Sequence, residues 1–298
     1  MSTAILYNPA AGRGRARSAI ARIATEVRRD FRDVEMFATE GPGDGKRLGR
    51  HIAEQGFERL IVVGGDGSVH DAANGVLQAP EAKRPLVTVI PVGTGNDFAK
   101  LVGTYGHSPR EAVRRLVHGT PGMFDVGDAW GEVFVNSLGV GLDHEVPYHL
   151  QSVKRLRGTP AYALALLKAL RGYRDIALDI TIGDTLHEGR WLTAAVGIGA
   201  VEVGGFHMMP GARPDDGLFD VCAVRPTALW RLLGLIPLVM LGKHGNLREV
   251  MLARTTTITF RGTAPIKIHS DGELRSNGSH ELVVTLRAGV LPVLKASN

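Results

Sequence analysis

Cysteine is almost absent from this chain. Its 298 residues hold one thiol, Cys222, so no internal disulfide can form, and the usage fits a reducing compartment. The signatures of several chemistries are missing as well. No Gly-x-Ser-x-Gly nucleophile elbow is present, and no Walker A loop. The eleven histidines form no His-x-His or His-x-x-x-His pair, so His51, His70, His107, His118 and the rest read as surface or turn residues. No basic run with interleaved aromatics argues for nucleic acid. The N-terminus enters a strand at once, without the cationic and apolar stretches of a secretory leader. The most apolar segment, Ala228–Leu241, is interrupted by Arg231, Gly234 and Pro237 and is too short to span a bilayer. Internal repeats, low-complexity tracts and long linkers are all lacking.

What is present is punctuated by glycine. Gly64-Gly65-Asp66-Gly67-Ser68 directly follows the apolar run Leu60–Val63 and precedes a helical spacing of Val69, Ala72, Ala73, Val76 and Leu77. A strand, a glycine turn and a helix start point free backbone N–H groups at an anion. A carboxylate in that cradle suits a bridging cation or a proton taken from the reacting group; it also suits a plain helix cap. A second buried strand, Leu86–Val92, ends in Gly93-Thr94-Gly95-Asn96-Asp97, and a third turn, Asn8 to Gly14, follows the strand Ala4–Tyr7. In open α/β sheets ligands bind outside such strand ends.

The length suits two domains. Up to about residue 124 short buried strands alternate with helices (about 15–29, 44–55, 69–78 and 109–118), which predicts a parallel sheet covered on both faces. Beyond Gly119-Thr120-Pro121-Gly122 strands dominate: Val133–Val135, Ile176–Ile182, Trp191–Ile198, Phe219–Val224, Thr256–Phe260, Ile266–Ile268 and Leu282–Leu286. Two helices interrupt them, Pro160–Tyr173 and Ala228–Leu241, and Asp184–Gly189 reads as a hairpin loop. An antiparallel, sandwich-like domain is expected there. Acidic turns stand at Phe124-Asp125, at Pro214-Asp215-Asp216-Gly217-Leu218 and at Ser270-Asp271-Gly272-Glu273. Each is ordinary turn chemistry. With Asp66 and Asp97 they also supply hard oxygen ligands of the kind Mg²⁺ takes. The net charge of +5, mostly arginine, suits a phosphate-bearing ligand, an anionic membrane surface or a solvated face.

Taken in order, Asn8-Pro9 with Gly12, Gly64 to Ser68 with Asn74-Gly75, Gly93 to Phe98, Asp216-Gly217-Leu218 and Asp271-Gly272-Glu273 resemble the bacterial diacylglycerol kinase and lipid kinase family, whose catalytic domain is shared with sphingosine and ceramide kinases. The resemblance spans nearly the whole chain. It implies a phosphofructokinase/NAD kinase-like α/β domain over 1–124, with a last strand near 290–298 returning to it. A β-sandwich-like lipid-substrate domain follows over 125–289, with ATP and Mg²⁺ in a cleft. Family nucleotide contacts carry over to Asn8, Thr39, Gly64, Gly65, Asp66, Gly67, Ser68, Asp71, Thr94, Gly95 and Asn96. A structural metal site carries over to Asp216 with the carbonyls of Arg213 and Leu218. The catalytic base carries over to Glu273, within an acidic network of Asp271, Asp66, Asp97 and Asp125; Asp66, inside the phosphate turn, is the rival base. The chain departs from the family with Ser68 where threonine is usual and Asp71 where glutamate is usual, which bears on nucleotide preference.

The resemblance thus implies an ATP- and Mg²⁺-dependent transfer of phosphate to a lipid hydroxyl, diacylglycerol foremost. The enzyme would be cytoplasmic and reversibly peripheral on anionic membrane, with a homodimer allowed. The helix Ala161–Leu170 and the segment Leu229–Leu241 offer either an apolar groove for the lipid or ordinary core, and Lys154, Arg155 and Arg157 face either headgroups or water. Two other readings stay open: an NAD kinase-like enzyme with a soluble acceptor, and a non-catalytic nucleotide- or lipid-binding protein.

Overall fold

The computed structural model of the chain describes residues 2–12, 14–153, 156, 158–172, 174–202 and 205–297. Lys154, Arg155, Arg157 and Tyr173, named above, and Arg13 of the turn Asn8 to Gly14, lie outside the described residues. The chain divides into two compact units, Met1–Val126 with Ala288–Asn298, and Gly127–Arg287.

The first unit runs β1 (Thr3–Tyr7), α1 (Arg15–Asp30), β2 (Val34–Ala38), α2 (Asp44–Glu54), β3 (Arg59–Gly64), α3 (Asp66–Val76), β4 (Leu86–Pro91), α4 (Asp97–Leu101) and α5 (Pro109–Val117). The sheet order β2-β1-β3-β4 is parallel throughout, which is why Leu60 to Val63 can be a continuous apolar run with every side chain buried. Ile5, Ile61, Val63 and Ile90 pack with Ile23 and Val27 of α1 and Val113 and Leu116 of α5. Alternation turns Leu60 and Val62 to the other face, where α3 meets β3, α2 meets β1, and α2 and α3 pack together. Gly75 makes that last packing close: a Cβ there would sit 2.1 Å from the Lys46 carbonyl oxygen. α3 begins at Asp66 rather than Val69, so the glycine turn is the helix's own first turn.

β5 (Thr120–Ala129) carries the chain into the second unit. It is followed by β6 (Glu132–Phe134), β7 (Ser137–Gly141), α6 (Leu142–Leu150), α7 (Gly158–Gly172), β8 (Ile176–Ile182), β9 (Thr185–His187), β10 (Arg190–Trp191), β11 (Thr193–Gly197) and β12 (Phe219–Val224). Then come α8 (Leu229–Met240), β13 (Val250–Thr255), β14 (Thr257–Gly262), β15 (Ile268–Ser270), β16 (Glu273–Arg275) and β17 (Glu281–Lys295), whose end returns to the first unit as Val293 pairs in parallel with Val87. One antiparallel sheet has the order β13-β12-β11-β7-β15-β16. In the other, β10 and β14 flank β8, and β17 pairs with β14. Phe219, Val221 and Ala223 alternate into the core between the sheets against Ile180, Ile258 and Phe260. Cys222 and Val224 face the opposite way, onto α6, α7 and α8.

Several expectations need correction. Trp191–Ile198 is not one strand: it breaks at Leu192, whose N–H turns to Val224 O and whose carbonyl accepts from Leu142 N–H. Strand β9 lies inside the expected loop 184–189, and Leu282–Leu286 and the last strand are one element, β17. The first strand after the change of pattern opens at Thr120 itself, within Gly119–Gly122. Helix α6 was hidden by its internal Pro147 and sparse apolar positions; tertiary packing of Leu142 and Val146 on Ala161, Tyr162 and Ala165 supplies what local pattern does not.

Candidate active site

The two glycine turns of the first unit are built as one piece. Gly65 and Gly93 meet backbone to backbone: a Cβ on Gly93 would lie 2.6 Å from the Gly65 Cα. Gly65 has φ −110°, so its lack of a side chain serves close approach and not a left-handed backbone. Across this contact the Asp66 carboxylate accepts three N–H groups, from Asn96 at 2.6 Å, Asp97 at 2.6 Å and Phe98 at 3.2 Å. Those are the first amides of α4, which have no partner inside their own helix. Asp66 of α3 therefore caps α4. Asn96 sits at the N-cap position with φ 58°, a left-handed conformation that asparagine tolerates, and its Nδ2 donates to the Gly93 carbonyl at 3.1 Å. Asp97 is buried and meets the Lys100 ammonium at 2.5 Å. Asp125 is buried too, and accepts the Gly289 N–H at 2.7 Å where the chain returns through a left-handed glycine.

A cavity of about 500 Å³ lies beside these turns, lined among others by Asn8, Ala10, Arg17, Thr39, Ser68 and Asp71. Asn8 shapes its edge by accepting the Ala10 N–H at 2.9 Å. Of the residues that sequence put around a nucleotide, Asn8, Thr39, Ser68 and Asp71 thus share one cavity. The residues from Gly64 to Gly67 and from Thr94 to Asn96 form the interlocked turns and do not line it.

In the second unit Asp271 and Gly272 both have positive φ, 50° and 87°, and connect β15 to β16 as a two-residue hairpin. The Asp271 carboxylate accepts N–H groups from Val135 at 3.0 Å, Asn136 at 2.8 Å and Ser137 at 3.2 Å. The hairpin is held a second time by His269: its Nε2 lies 2.9 Å from Asp143 Oδ2, and its Nδ1 accepts the Gly272 N–H at 3.4 Å. Glu273 stands just past the turn, exposed, and its carboxylate makes no hydrogen bond or ion pair among the described residues. Of the five carboxylates implied as a catalytic network, four are tied to backbone amides or a lysine. Glu273 is open.

The turn around Asp216 differs from a ready metal site. One Asp216 oxygen accepts the Leu218 N–H at 3.2 Å, and the other is paired with the Arg254 guanidinium. A divalent cation would have to displace Arg254, and Arg213 turns its own guanidinium to Asp215 at 3.6 Å.

Sequence reasoning missed a buried trio. Asp143, Glu202 and His269 bring ligand atoms within 4.8 Å of one another. His70, His144, His244 and His269 are buried, which corrects the reading of the histidines as surface or turn residues. Burial pushes the His144 and His244 imidazoles below their ordinary pKa, and it raises the Cys222 thiol well above the usual range. No spacing rule brings these residues together; strand order does. Asp143 and Glu202 also line the polar end of an apolar cavity of about 90 Å³, walled by residues such as Leu142, Leu166, Leu170, Leu235 and Ile236 of α6, α7 and α8.

Comparison with known proteins agrees with this layout. Residues 2–129 match the family described as "Diacylglycerol kinase catalytic domain", and residues 136–295 match "YegS C-terminal NAD kinase beta sandwich-like domain". The chain is 27% identical to a diacylglycerol kinase of Bacillus subtilis (strain 168) over 271 residues, covering 90% of this chain and 88% of that one. It is 26% identical to a diacylglycerol kinase of Staphylococcus carnosus (strain TM300) over 273 residues, covering 90% and 87%. A crystal structure of a diacylglycerol kinase from Bacillus anthracis str. Sterne superposes with a TM-score of 0.76 at 21% identity, over 99% of this chain and 96% of that chain.

Proposed function

The chain belongs to the diacylglycerol kinase family and is a lipid kinase; from that premise we propose that it moves the γ-phosphoryl group of ATP, with Mg²⁺, onto the free hydroxyl of diacylglycerol to give phosphatidic acid. One observation carries the residue assignment: a proton acceptor needs an accessible lone pair, and of the five candidate carboxylates Glu273 alone stands exposed and without a partner among the described residues. Asp66, the rival base, spends three of about four lone-pair positions on the amides of α4.

Phosphoryl transfer needs placement and charge neutralisation more than covalent chemistry. The donor half belongs to the first unit. The turn at Asn8, with Thr39, Ser68 and Asp71, lines a cavity of about 500 Å³, and Arg17 brings a guanidinium to the same space. Ser68 keeps the hydroxyl of the usual threonine, and Asp71 keeps the charge of the usual glutamate on a shorter arm. Mg²⁺ takes hard oxygens; Asp66 already gives three of about four lone-pair positions to the α4 amides and Asp97 would have to share its carboxylate with Lys100, so these two would hold the ion only in part, and when bound it would supply charge neutralisation. Asp97 with Lys100, and Asp125 with Gly289, hold the surrounding backbone in place. At Asp216 the carboxylate is engaged by Arg254. No step is assigned to a metal there.

The acceptor half belongs to the second unit. The hairpin pinned by Asp271 and His269 presents Glu273, which takes the hydroxyl proton as the oxygen attacks phosphorus. The apolar cavity among α6, α7 and α8, about 90 Å³, is smaller than the roughly 300 Å³ of common ligand sites, so an acyl chain needs the helices to part. Reversible association with an anionic membrane brings such a substrate within reach; among the described residues no helix is long and apolar enough to cross one.

The test is product analysis. The protein is incubated with γ-labelled ATP, Mg²⁺ and micellar diacylglycerol, phosphatidylglycerol, a sphingoid base or NAD, and the labelled species is identified. Label in phosphatidic acid supports the reading, and label in NADP or in none of the products sinks it.

A further inference from the structure

Helices α7 and α8 are apolar on the sides they show to water. On α8, Leu229 is 58% exposed, Trp230 70% and Leu233 48%, and Leu241 just beyond its end is 66% exposed. On α7, Leu164 and Leu167 are exposed. These are not the side chains that wall the internal cavity. That role falls to Leu166 and Leu170 of α7 and to Leu232, Leu235, Ile236 and Val239 of α8. At 100° per residue the exposed set on each helix is turned roughly 110–120° from the set that walls the cavity and adjoins it, with Leu229 beside Ile236 and Leu167 beside Leu170. Each helix is therefore apolar twice over, once toward the core and once toward solvent. Soluble proteins seldom cluster exposed large apolar side chains in this way without a partner for them.

Charge identifies the partner. Residues 151–174 and 225–248, which contain the two helices, carry ten of the chain's 35 lysines and arginines and none of its 30 aspartates and glutamates, so the rest of the chain has 25 basic against 30 acidic residues. Arg171, on the outer face of α7, and Lys243, just past α8, are exposed and form no ion pair among the described residues. The Arg231 guanidinium lies 4.9 Å over the exposed Trp230 ring and is paired with Glu249 at 2.6 Å, so among the described residues the free positive charge of this surface comes from Arg171 and Lys243. Tryptophan and arginine at that depth are the anchors of a membrane interface. A second copy of this chain fits poorly, because self-pairing would set one cationic face against another.

We propose that the second unit docks on an anionic phospholipid bilayer through the outer faces of α7 and α8, with α8 lying in the plane of the headgroups and Trp230, Leu229 and Leu233 below them. α8 has twelve residues, about 18 Å of helix, which forbids spanning and suits lying flat. The choice of a bilayer as occupant rests on the reading of the chain as a lipid kinase; the docking itself needs neither nucleotide nor turnover.

The experiment uses the full chain without nucleotide and unilamellar vesicles of phosphatidylglycerol in phosphatidylcholine, or of phosphatidylcholine alone. Wild type should co-sediment with the anionic vesicles and lose them at high salt, and its tryptophan emission should shift to the blue. Trp230→Phe should keep sedimentation and lose the shift, since Trp191 is already buried and Trp130 packs against the core of the second unit away from the two helices. Leu229→Ser with Leu233→Ser should weaken partition at least about tenfold with an unchanged urea midpoint, because both side chains are exposed in the free protein. Equal binding to neutral vesicles, or full binding by the double variant, overturns the proposal. So does a blue emission without vesicles that shifts to the red on dilution, which assigns the patch to a second copy. The kinase reading is scored separately with detergent-dispersed diacylglycerol. Vesicle binding without transfer there would end that reading and leave the docking surface standing.

Discussion

Replacing Asp66 should cost stability before it costs chemistry. Its carboxylate receives two amides at 2.6 Å and one at 3.2 Å, all from the first turn of a five-residue helix that has no other cap. Hydrogen bonds to a charged group are worth about 1.5–3 kcal/mol each, and loss of an N-cap costs about 0.5–2 kcal/mol. The three bonds share one carboxylate in a half-buried site, so they do not add. About 3–4 kcal/mol is the working figure for Asp66→Ala, a large share of the roughly 5–15 kcal/mol that keeps a protein folded. At roughly 2–4 °C per kcal/mol this lowers Tm by about 10 °C. Asp66→Asn should be nearly as costly. Its carbonyl can still accept, but its amide turns a donor toward the N–H of a neighbour that also donates. The assay is thermal melting followed by circular dichroism, with urea titration as a check. If Asp66→Asn melts within about 2 °C of wild type while turnover disappears, Asp66 is a reacting group and not a strut, and the reasoning fails.

Three further outcomes follow from the same geometry. Gly65→Val should abolish nucleotide binding by forcing apart the two turns that meet at Gly93, where even a Cβ would come within 3.1 Å of the Gly93 Cα; unchanged affinity in a folded variant would show the contact to be incidental. His244 is fully buried, and burial lowers its pKa, so the stability it contributes is complete above the ordinary value near 6.5 and is lost as pH falls from there toward the folded value. Tm of His244→Gln, whose amide can still donate to the Met208 carbonyl, should therefore fall less below pH 6.5 than that of wild type, and equal slopes would contradict the assignment. Because Arg254 occupies the Asp216 carboxylate, Mg²⁺ without nucleotide should leave Tm unchanged; a rise that vanishes in Asp216→Ala would show that the metal displaces the guanidinium.

The parallel strands and their glycine turns were legible because burial on both faces writes an unbroken apolar run, and a turn that must approach a ligand or another backbone writes glycine. What the glycines do was only half legible. Gly65 and Gly93 are small because they touch each other, a contact between turns about thirty residues apart that no local pattern records. Asp66 stood out in the sequence as a carboxylate in a phosphate cradle, yet its partners lie thirty to thirty-two residues away. The Asp143–His269 pair, 126 residues apart, left no trace, since β7, α6 and β15 meet only in the folded sheet. α6 was hidden for the opposite reason, a local proline outweighed by packing on α7. Glu273 was found through its motif, and geometry then separated it from the other carboxylates.

The most direct test of the account is Glu273→Gln, with kcat for diacylglycerol phosphorylation measured at saturating ATP and Mg²⁺ alongside nucleotide affinity and Tm. The side chain is exposed and makes no hydrogen bond or ion pair among the described residues, so Tm and nucleotide affinity should match wild type. Loss of the general base should lower kcat by about 10²–10⁴. A variant that binds nucleotide, melts like wild type and turns over at the full rate would contradict the claim that proton transfer runs through the one carboxylate left open among the five candidates.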